Sequence, residues 1–188
     1  MIELAGTKIA NQIWSKSNLN VEIFRNGDII QIANDEDEWL QAWTNRMPIC
    51  CYYDYNQENG LTHGRLYNWF AVADPRGLAP QGWHIPTSTE WEQLIDYLGE
   101  NAGIKIRKSK NWVNGPRSSD KFNFNALPSG CCNNEGVGFD LNTWACWWSS
   151  SEEDESNAIA FNISIEFDEI GIVDDDKGFG LSVRCIKD

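Results

Sequence analysis

The sequence is short of positive charge and of histidine, and both shortages narrow what the protein can do. Lysine and arginine number 15 against 28 acidic residues, which gives a formal net charge of −13. Phosphate-bearing partners need a basic surface, so nucleic acid is excluded as a partner and an anionic membrane face is disfavoured. Only two histidines, His63 and His84, are present, which leaves little room for a catalytic triad or a histidine-based zinc enzyme.

Long apolar runs and metal-type cysteine spacings are also missing. No stretch approaches the roughly 20 apolar residues of a membrane-spanning helix, and the first residues lack the basic head and apolar run of a signal peptide. We expect no membrane-spanning segment, and either a cytoplasmic protein or one whose leader was removed. The six cysteines contain no Cys-x-x-Cys spacing, so a zinc knuckle or thioredoxin-like site is not expected. They are either buried thiols or include at least one disulfide.

Tryptophan is the residue in excess, with ten in 188 residues. Such rings bring large buried areas, and they also stack on sugars and other flat ligands. The length fits one domain with a sizeable core, and no repeat or low-complexity linker divides it. We therefore expect one α+β domain over residues 1–188.

The clearest helix signal begins at Thr87. Thr87 and Glu90 have the spacing of a capping box, and Gly99 supplies a left-handed stop. Between them, apolar residues recur at helical spacing, at Trp91, Leu94, Ile95 and Leu98. The sequence predicts a helix docked on the core.

Two further helices are expected before it. A short one is capped by Asn34 and buries one face, made of Trp39, Leu40 and Trp43. The other ends at Asp74-Pro75 and carries a stripe at i, i+3, i+4 and i+7, made of Leu66, Trp69, Phe70 and Ala73.

Strands are expected towards both ends of the chain. Asn26-Gly27 is a turn signal between two short apolar runs. Near the C-terminus, apolar residues alternate with period two over residues 159–167 and again over 179–185. Between them and the capped helix, residues 100–145 are rich in Asn, Gly, Ser and Lys, which predicts long irregular structure of the kind that tends to carry function.

Several of these motifs together resemble a known family. The segments "GRLYNWFAVADPRGLAPQGWHIPTSTEWEQLIDYLG", "ALPSG", "WWSSSE" and "GFGLSVRCIKD" closely resemble the Fibrobacter succinogenes major paralogous domain (FISUMP). That family is similar to formylglycine-generating-enzyme-like domains. The resemblance implies a C-type-lectin-like fold, in which two main helices pack on small twisted antiparallel sheets with long irregular loops. Strands and a short helix would occupy residues 1–60, and the lectin-like core residues 61–188.

The resemblance also implies a location and bears on catalysis. Members of the family occur mainly on secreted or lipid-anchored bacterial surface proteins, so an extracellular or cell-surface location is expected, although the absence of a signal peptide leaves the cytoplasm open. Formylglycine-generating enzymes use a copper-binding pair of cysteines a few residues apart. Here Cys131 and Cys132 are adjacent and Cys146 is distant, so we expect no catalytic residue and no enzyme activity.

Two other features remain open from the sequence. The acidic runs at residues 152–155 and 174–176 flank the alternating strand, and they are either solvated turns or, if they approach one another, a calcium site. No other cofactor and no metal-ligand set is expected. A disulfide between Cys51 and Cys185 is a guess, because adjacent cysteines are poor evidence for any pairing.

The block "WACWWSSSEE" supplies the candidate site. Strand alternation puts Trp148 and Cys146 on one face and Trp147 on the other, so either all three tryptophans are core or at least one lies near the loop surface. The binding hypothesis is a shallow site made of Asn133, Asn134, Asn142, Trp144, Ser150, Glu152 and Asn157. We expect a noncatalytic ligand-binding or adhesion module for glycan or protein. The alternatives are a formylglycine-generating-type enzyme or its degenerate descendant, and a structural domain of a surface assembly; the oligomeric state is not predicted.

Overall fold

Residues 3–188 are described by the computed structural model, in which short strands and short helices alternate along the chain. Within this range the twelve strands are Gly6–Ile9 (β1), Gln12–Ser15 (β2), Gln31–Ile32 (β3), Ile49–Cys51 (β4), Leu66–Tyr67 (β5), Trp83–His84 (β6), Ser129–Cys132 (β7), Gly138–Leu141 (β8), Trp144–Glu152 (β9), Asn157–Ser164 (β10), Gly171–Asp176 (β11) and Ile186–Lys187 (β12). The five helices are Glu36–Thr44 (α1), Gln57–His63 (α2), Trp69–Val72 (α3), Ser88–Leu98 (α4) and Ala102–Ile106 (α5), with a 3-10 turn at Tyr53–Tyr55. The predicted α+β class is confirmed.

The strands of this range form three small sheets, with the orders β1-β2-β12-β6, β11-β10-β9-β7-β8 and β3-β4-β5. Most neighbours are antiparallel, but β3 pairs with β4 and β7 pairs with β9 in parallel. The N-terminal strands β1 and β2 share a sheet with β12 from the other end of the chain. None of the helices in the described range is long and apolar enough to cross a membrane.

Helix α4 begins and ends where its capping signals predict. The Thr87 side chain accepts a hydrogen bond from the Glu90 backbone N–H at 3.3 Å, and Glu90 accepts one from the Thr87 N–H at 2.8 Å. Gly99 ends the helix at φ +62°, a conformation that costs glycine little. The buried face carries Trp91 into an aromatic cluster, where its ring lies 5.0 Å from that of Phe161. The helix is therefore held by both its cap and its core face.

Helix α1 is also present, but its predicted cap and apolar face need correction. Asp35, not Asn34, caps the helix, because its carboxylate accepts from the Glu38 N–H at 2.9 Å. The Glu38 side chain in turn accepts from Asn34. Trp39 is buried, whereas Leu40 is 42 % exposed. The three acidic residues of the first turn add favourable charge at the positive end of the helix dipole.

The expected helix across residues 66–73 is wrong in length. Leu66–Tyr67 is a strand that pairs with β4, and α3 covers only one turn after it. Asn68 divides the two, since its amide oxygen accepts from the backbone N–H groups of Ile49 and Ala71. An Asn side chain that bonds the backbone in this way competes with helix formation. Of the predicted stripe, Phe70 is half-buried and Ala73 is exposed.

The predicted C-terminal strands are present in altered form. Strand β10 runs from Asn157 to Ser164 and is buried on both faces, whereas Phe167 lies beyond it and is 62 % exposed. Residues 180–182 make only isolated bridges, to Tyr67, Cys132 and Trp147, before β12 begins at Ile186. The final segment takes its partners from three different elements, so a single continuous ladder does not form.

The region 100–145, predicted as irregular, contains α5, β7, β8 and the first two residues of β9. Two buried arginines hold the remaining loop in place through hydrogen bonds to backbone oxygens. Arg107 donates to the backbone oxygens of Arg117 and Phe167, each at 2.7 Å. Arg184 donates to those of Phe124 at 2.8 Å and Asn125 at 3.1 Å. Hydrogen bonds from these cations satisfy loop carbonyls that would otherwise be buried without partners.

The Asn26-Gly27 turn is confirmed. Ile23 and Ile29 form an antiparallel bridge around it, and the Gly27 N–H donates to the Phe24 oxygen at 2.9 Å. Gly27 has φ +97° with open space around it. This turn therefore has the backbone geometry for which a glycine is suited.

Candidate functional site

The seven predicted site residues do not lie on one surface. Trp144 begins β9 and Ser150 lies six residues further along the same strand. At about 3.3 Å per residue, the two are separated by roughly 20 Å. Asn142 precedes Trp144 in a left-handed turn at φ +66°. The predicted shallow site is thus divided between the two ends of β9.

The three other asparagines of that set organise turns or contact a neighbouring strand. Asn133 accepts from the backbone N–H groups of Glu135 at 3.0 Å and Val137 at 2.9 Å, between β7 and β8. Asn157 donates to Asp154 at 3.2 Å, between β9 and β10. Asn134 donates to Asp176 at 3.4 Å. These bonds hold the connections between strands and give each amide a structural role.

Glu152 is paired with a buried lysine. The Lys177 ammonium contacts the Glu152 carboxylate and the backbone oxygen of Glu155, and it lies 4.8 Å from the centre of the Trp69 ring. The two acidic runs approach one another, because Asn157 pairs with Asp176, and Lys177, which follows the second run, binds the first. In residues 3–188 no group of three or more metal-type side chains comes together.

The tryptophan block alternates as predicted. Trp147 and Trp148 are both fully buried, on opposite faces of β9 and in separate apolar clusters. Trp144 is only half-buried and packs at the edge of the cluster that contains Trp148. Two tryptophans of the block are core residues, and Trp144 is the one at the surface.

Trp144 borders a cavity of about 200 Å³, which we call the aromatic groove. It is lined by Cys131, Phe139, Asp140, Trp144, Cys146, Asn162, Val173, Asp175, Phe179 and Leu181. The strand register explains this set, because Cys146 pairs with Asn162 across β9 and β10 and Ala160 pairs with Val173 across β10 and β11. One face of three neighbouring strands therefore forms the base of the groove.

Aromatic rings stand around the groove. Phe139 is 37 % exposed, and its ring meets that of Phe179 edge to face at a centroid distance of 6.1 Å. Trp144 adds the third, half-buried ring. Partly exposed rings around a cavity leave apolar faces free for a ligand.

Polar groups lie between these rings. Asn162 is buried on β10, and Asp140 is exposed on β8 with φ +60°. Burial, and then the neighbouring charge of Asp174, raises the pKa of Asp175. The groove therefore combines apolar ring faces with one amide and two carboxyl groups.

Two thiols complete the base of the groove. Cys131 and Cys146 both line it, although 15 positions separate them in the sequence. All six cysteines are buried and free. Cys51 packs in one cluster with Cys132, whereas Cys185 packs in a different one, so the guessed Cys51–Cys185 pairing is wrong.

The two histidines lie away from the groove. His84 lies at the start of α4, with its ring nitrogens 2.9 Å from Glu90 and 2.8 Å from Asp188. Partial burial acts to lower the pKa of His84, but the two carboxylates outweigh it and the pKa is raised. Burial lowers the pKa of His63.

Most residues that line the groove are not among those predicted from the sequence. Of the seven predicted residues, only Trp144 borders it. A usable signal was the second face of the alternating strand, where Ala160 and Asn162 stand between large apolar neighbours. A buried amide on that face indicates a polar contact or a cavity. The contributions of Phe139 and Asp175 depend on strand order, which periodicity does not provide.

The chain matches the sequence model of the Fibrobacter succinogenes major domain over residues 7–187. It belongs to this bacterial family, in agreement with the resemblance of its motifs. No curated protein and no solved structure matches the chain significantly.

Proposed function

We propose that this member of the Fibrobacter succinogenes major domain family is a noncatalytic ligand-binding or adhesion module that holds a glycan in the aromatic groove. The observation that carries the proposal is the half-buried Trp144 at the border of a 200 Å³ cavity that also contains an amide and two carboxyl groups. No other predicted site residue has a comparable setting.

The chemistry of the groove suits a sugar. The C–H faces of a pyranose ring pack on aromatic side chains such as Trp144 and Phe139. Sugar hydroxyls both donate and accept, so they can pair with the Asn162 amide and the Asp140 carboxylate. A cavity of about 200 Å³ is below the usual 300–1,000 Å³ of drug-sized pockets, which favours one sugar unit or the end of a chain over a long oligosaccharide.

The proposal includes the scaffold and the location. Several small sheets, with α4 docked on the five-stranded one, are consistent with a C-type-lectin-like fold. An extracellular or cell-surface location on a bacterium would bring the groove to glycan ligands. The net charge of −13 favours neutral or cationic ligands over polyanions.

Glycan-array screening with matched variants tests this function. Trp144→Ala should abolish any hit. The control is Tyr97→Ala, because Tyr97 is 54 % exposed on α4 and does not line the groove. Hits that survive Trp144→Ala contradict the assigned site. An array without hits, followed by failure to bind protein ligands, would favour a structural domain in a surface assembly.

A formylglycine-generating-type enzyme, or its degenerate descendant, is the second candidate. The observation that favours it is the meeting of Cys131 and Cys146 in the groove, which their sequence spacing does not indicate. Two thiols are soft ligands of the kind that Cu(I) prefers. Titration with Cu(I) separates the candidates, because binding that disappears in Cys146→Ser supports the enzyme and no binding supports the glycan module.

A further inference from the structure

Four of the six cysteines lie in two neighbouring pairs. Strands β7 and β9 run parallel and pair at Gly130 and Ala145. The next residues on the two strands, Cys131 and Cys146, therefore lie beside one another, and both line the aromatic groove. Neighbouring strands are about 4.8 Å apart, which is within the range of Cα separations that a disulfide spans.

The second pair has no such opening. Cys51 and Cys132 pack with Trp39 and Leu66 in an apolar cluster. A methyl group added at Gly180 would lie 2.3 Å from the Cys132 sulfur, so backbone closes that side. Burial, and then the Cys132 thiol, raises the pKa of Cys51. This pair does not line the aromatic groove, so it serves as an internal control.

A base stands beside the first pair. The Cys146 thiol is 3.9 Å from Oδ2 of Asp175. The raised pKa of Asp175 makes its carboxylate a better proton acceptor than an exposed one. The contact with the Cys146 thiol, and then burial, raise the pKa of the Cys131 thiol. Cys146 is therefore the member of the pair that has a carboxylate beside its sulfur.

We infer that Cys146 and Cys131 form a dithiol that a small hydroperoxide oxidises to a disulfide in the folded protein. Asp175 takes the Cys146 proton, and the thiolate attacks one peroxide oxygen. The O–O bond breaks, Asp175 returns the proton to the leaving hydroxide, water leaves, and Cys146 becomes a sulfenic acid. The Cys131 sulfur then attacks the Cys146 sulfur, the S–O bond breaks and a second water leaves. The two thiols lose two hydrogens, and hydrogen peroxide is reduced to two waters.

The dimensions of the groove fit this reagent. A water molecule takes up about 30 Å³ of liquid, so a cavity of about 200 Å³ admits hydrogen peroxide beside both sulfurs. The inference is independent of the glycan proposal, since it depends only on the thiols, the carboxylate and the opening. The resulting disulfide would fix β7 to β9 beneath Trp144.

Peptide mapping of the folded protein tests the inference. After dialysis against a chelator, which removes metals, the protein is treated with hydrogen peroxide, alkylated under denaturing conditions, digested and examined by mass spectrometry. We expect a Cys131–Cys146 disulfide to form at least about tenfold faster than any product at Cys51 or Cys132, because the enclosed sulfurs are shielded. Six alkylated thiols after treatment, or equal rates at the two pairs, would overturn it.

Variants assign the separate roles. In Cys131→Ser the reaction should stop at a Cys146 sulfenic acid, which dimedone traps. Asp175→Asn should slow oxidation by about tenfold or more. Asp174→Asn should not, because Asp174 is exposed on the opposite face of β11. Equal slowing by both substitutions would contradict Asp175 as the base. The wild-type mapping decides the inference even if Cys131→Ser does not fold.

Discussion

The two faces of β9 differ in how they are covered. On one, Trp147 lies between Trp91 and Phe124, at centroid distances of 5.7 and 5.9 Å, under helix α4. On the other, Trp148 is sealed, but the strand opens at Cys146 and Trp144 into the aromatic groove. The same strand thus supplies core on one side and a cavity on the other. The alternation of residues along β9 predicts which side chains share a face. Which of the two faces is covered depends on the elements that pack against the strand.

The largest expected effect is on the closed face. Trp147→Ala should lower the free energy of unfolding by about 3–5 kcal/mol, because it removes a fully buried ring from an aromatic cluster. Urea denaturation followed by circular dichroism measures this. A loss below about 1 kcal/mol would show that the two faces are not different in packing.

The matching change on the open face should cost less. Trp144 is half-buried, so Trp144→Ala should destabilise by about half as much, roughly 1.5–2.5 kcal/mol, and leave the protein folded. The same urea titration measures it. A cost equal to that of Trp147→Ala would mean that Trp144 is a core residue, which would remove the main support for the glycan site.

The cap of the helix that covers the closed face should have a smaller effect. Thr87→Ala removes the side-chain acceptor of the Glu90 N–H and should cost about 1 kcal/mol. Thermal unfolding measures the loss. Thr87→Ser keeps the hydroxyl and is the matched control, and a similar loss in both variants would contradict the capping explanation.

The smallest effect is a dependence of stability on pH at the start of α4. Because the pKa of His84 is raised in the folded state, its stabilisation is fully present below the ordinary value near pH 6.5 and is lost as the pH rises through the raised value. The side chain is partly exposed, so a few tenths of a kcal/mol is expected. His84→Gln should remove this slope between pH 6 and 8, and an unchanged slope would contradict the assignment.

Local signals predicted local structure well. The capping box of α4, the Asn26-Gly27 turn and the alternation of the tryptophan block are confirmed, because each depends on residues close in sequence. The helix predicted from the stripe between Leu66 and Ala73 is wrong in length, because Asn68 bonds the backbone of β4 and interrupts the helix. That competition depends on a partner 19 positions away.

The lining of the groove also depends on contacts between residues that are distant in sequence. Trp144 could be predicted as a site residue from the pattern of its own strand. Asp175 reaches the groove because β10 pairs with β11, and Cys131 because β7 pairs with β9. Trp144 and Ser150 of the seven-residue site lie about 20 Å apart, because six positions along a strand are a long distance in space. A nine-residue strand such as β9 extends about 30 Å, so the residues at its two ends have different neighbours.

Nuclear magnetic resonance of the tryptophan indole N–H groups tests the central claim most directly, because the open and closed faces report separately. During titration with saccharides selected on the array, we predict that the Trp144 indole signal shifts and saturates, whereas the Trp91 and Trp147 signals remain in place. Saccharide binding that leaves the Trp144 signal unmoved would contradict the assignment of the groove as the ligand site.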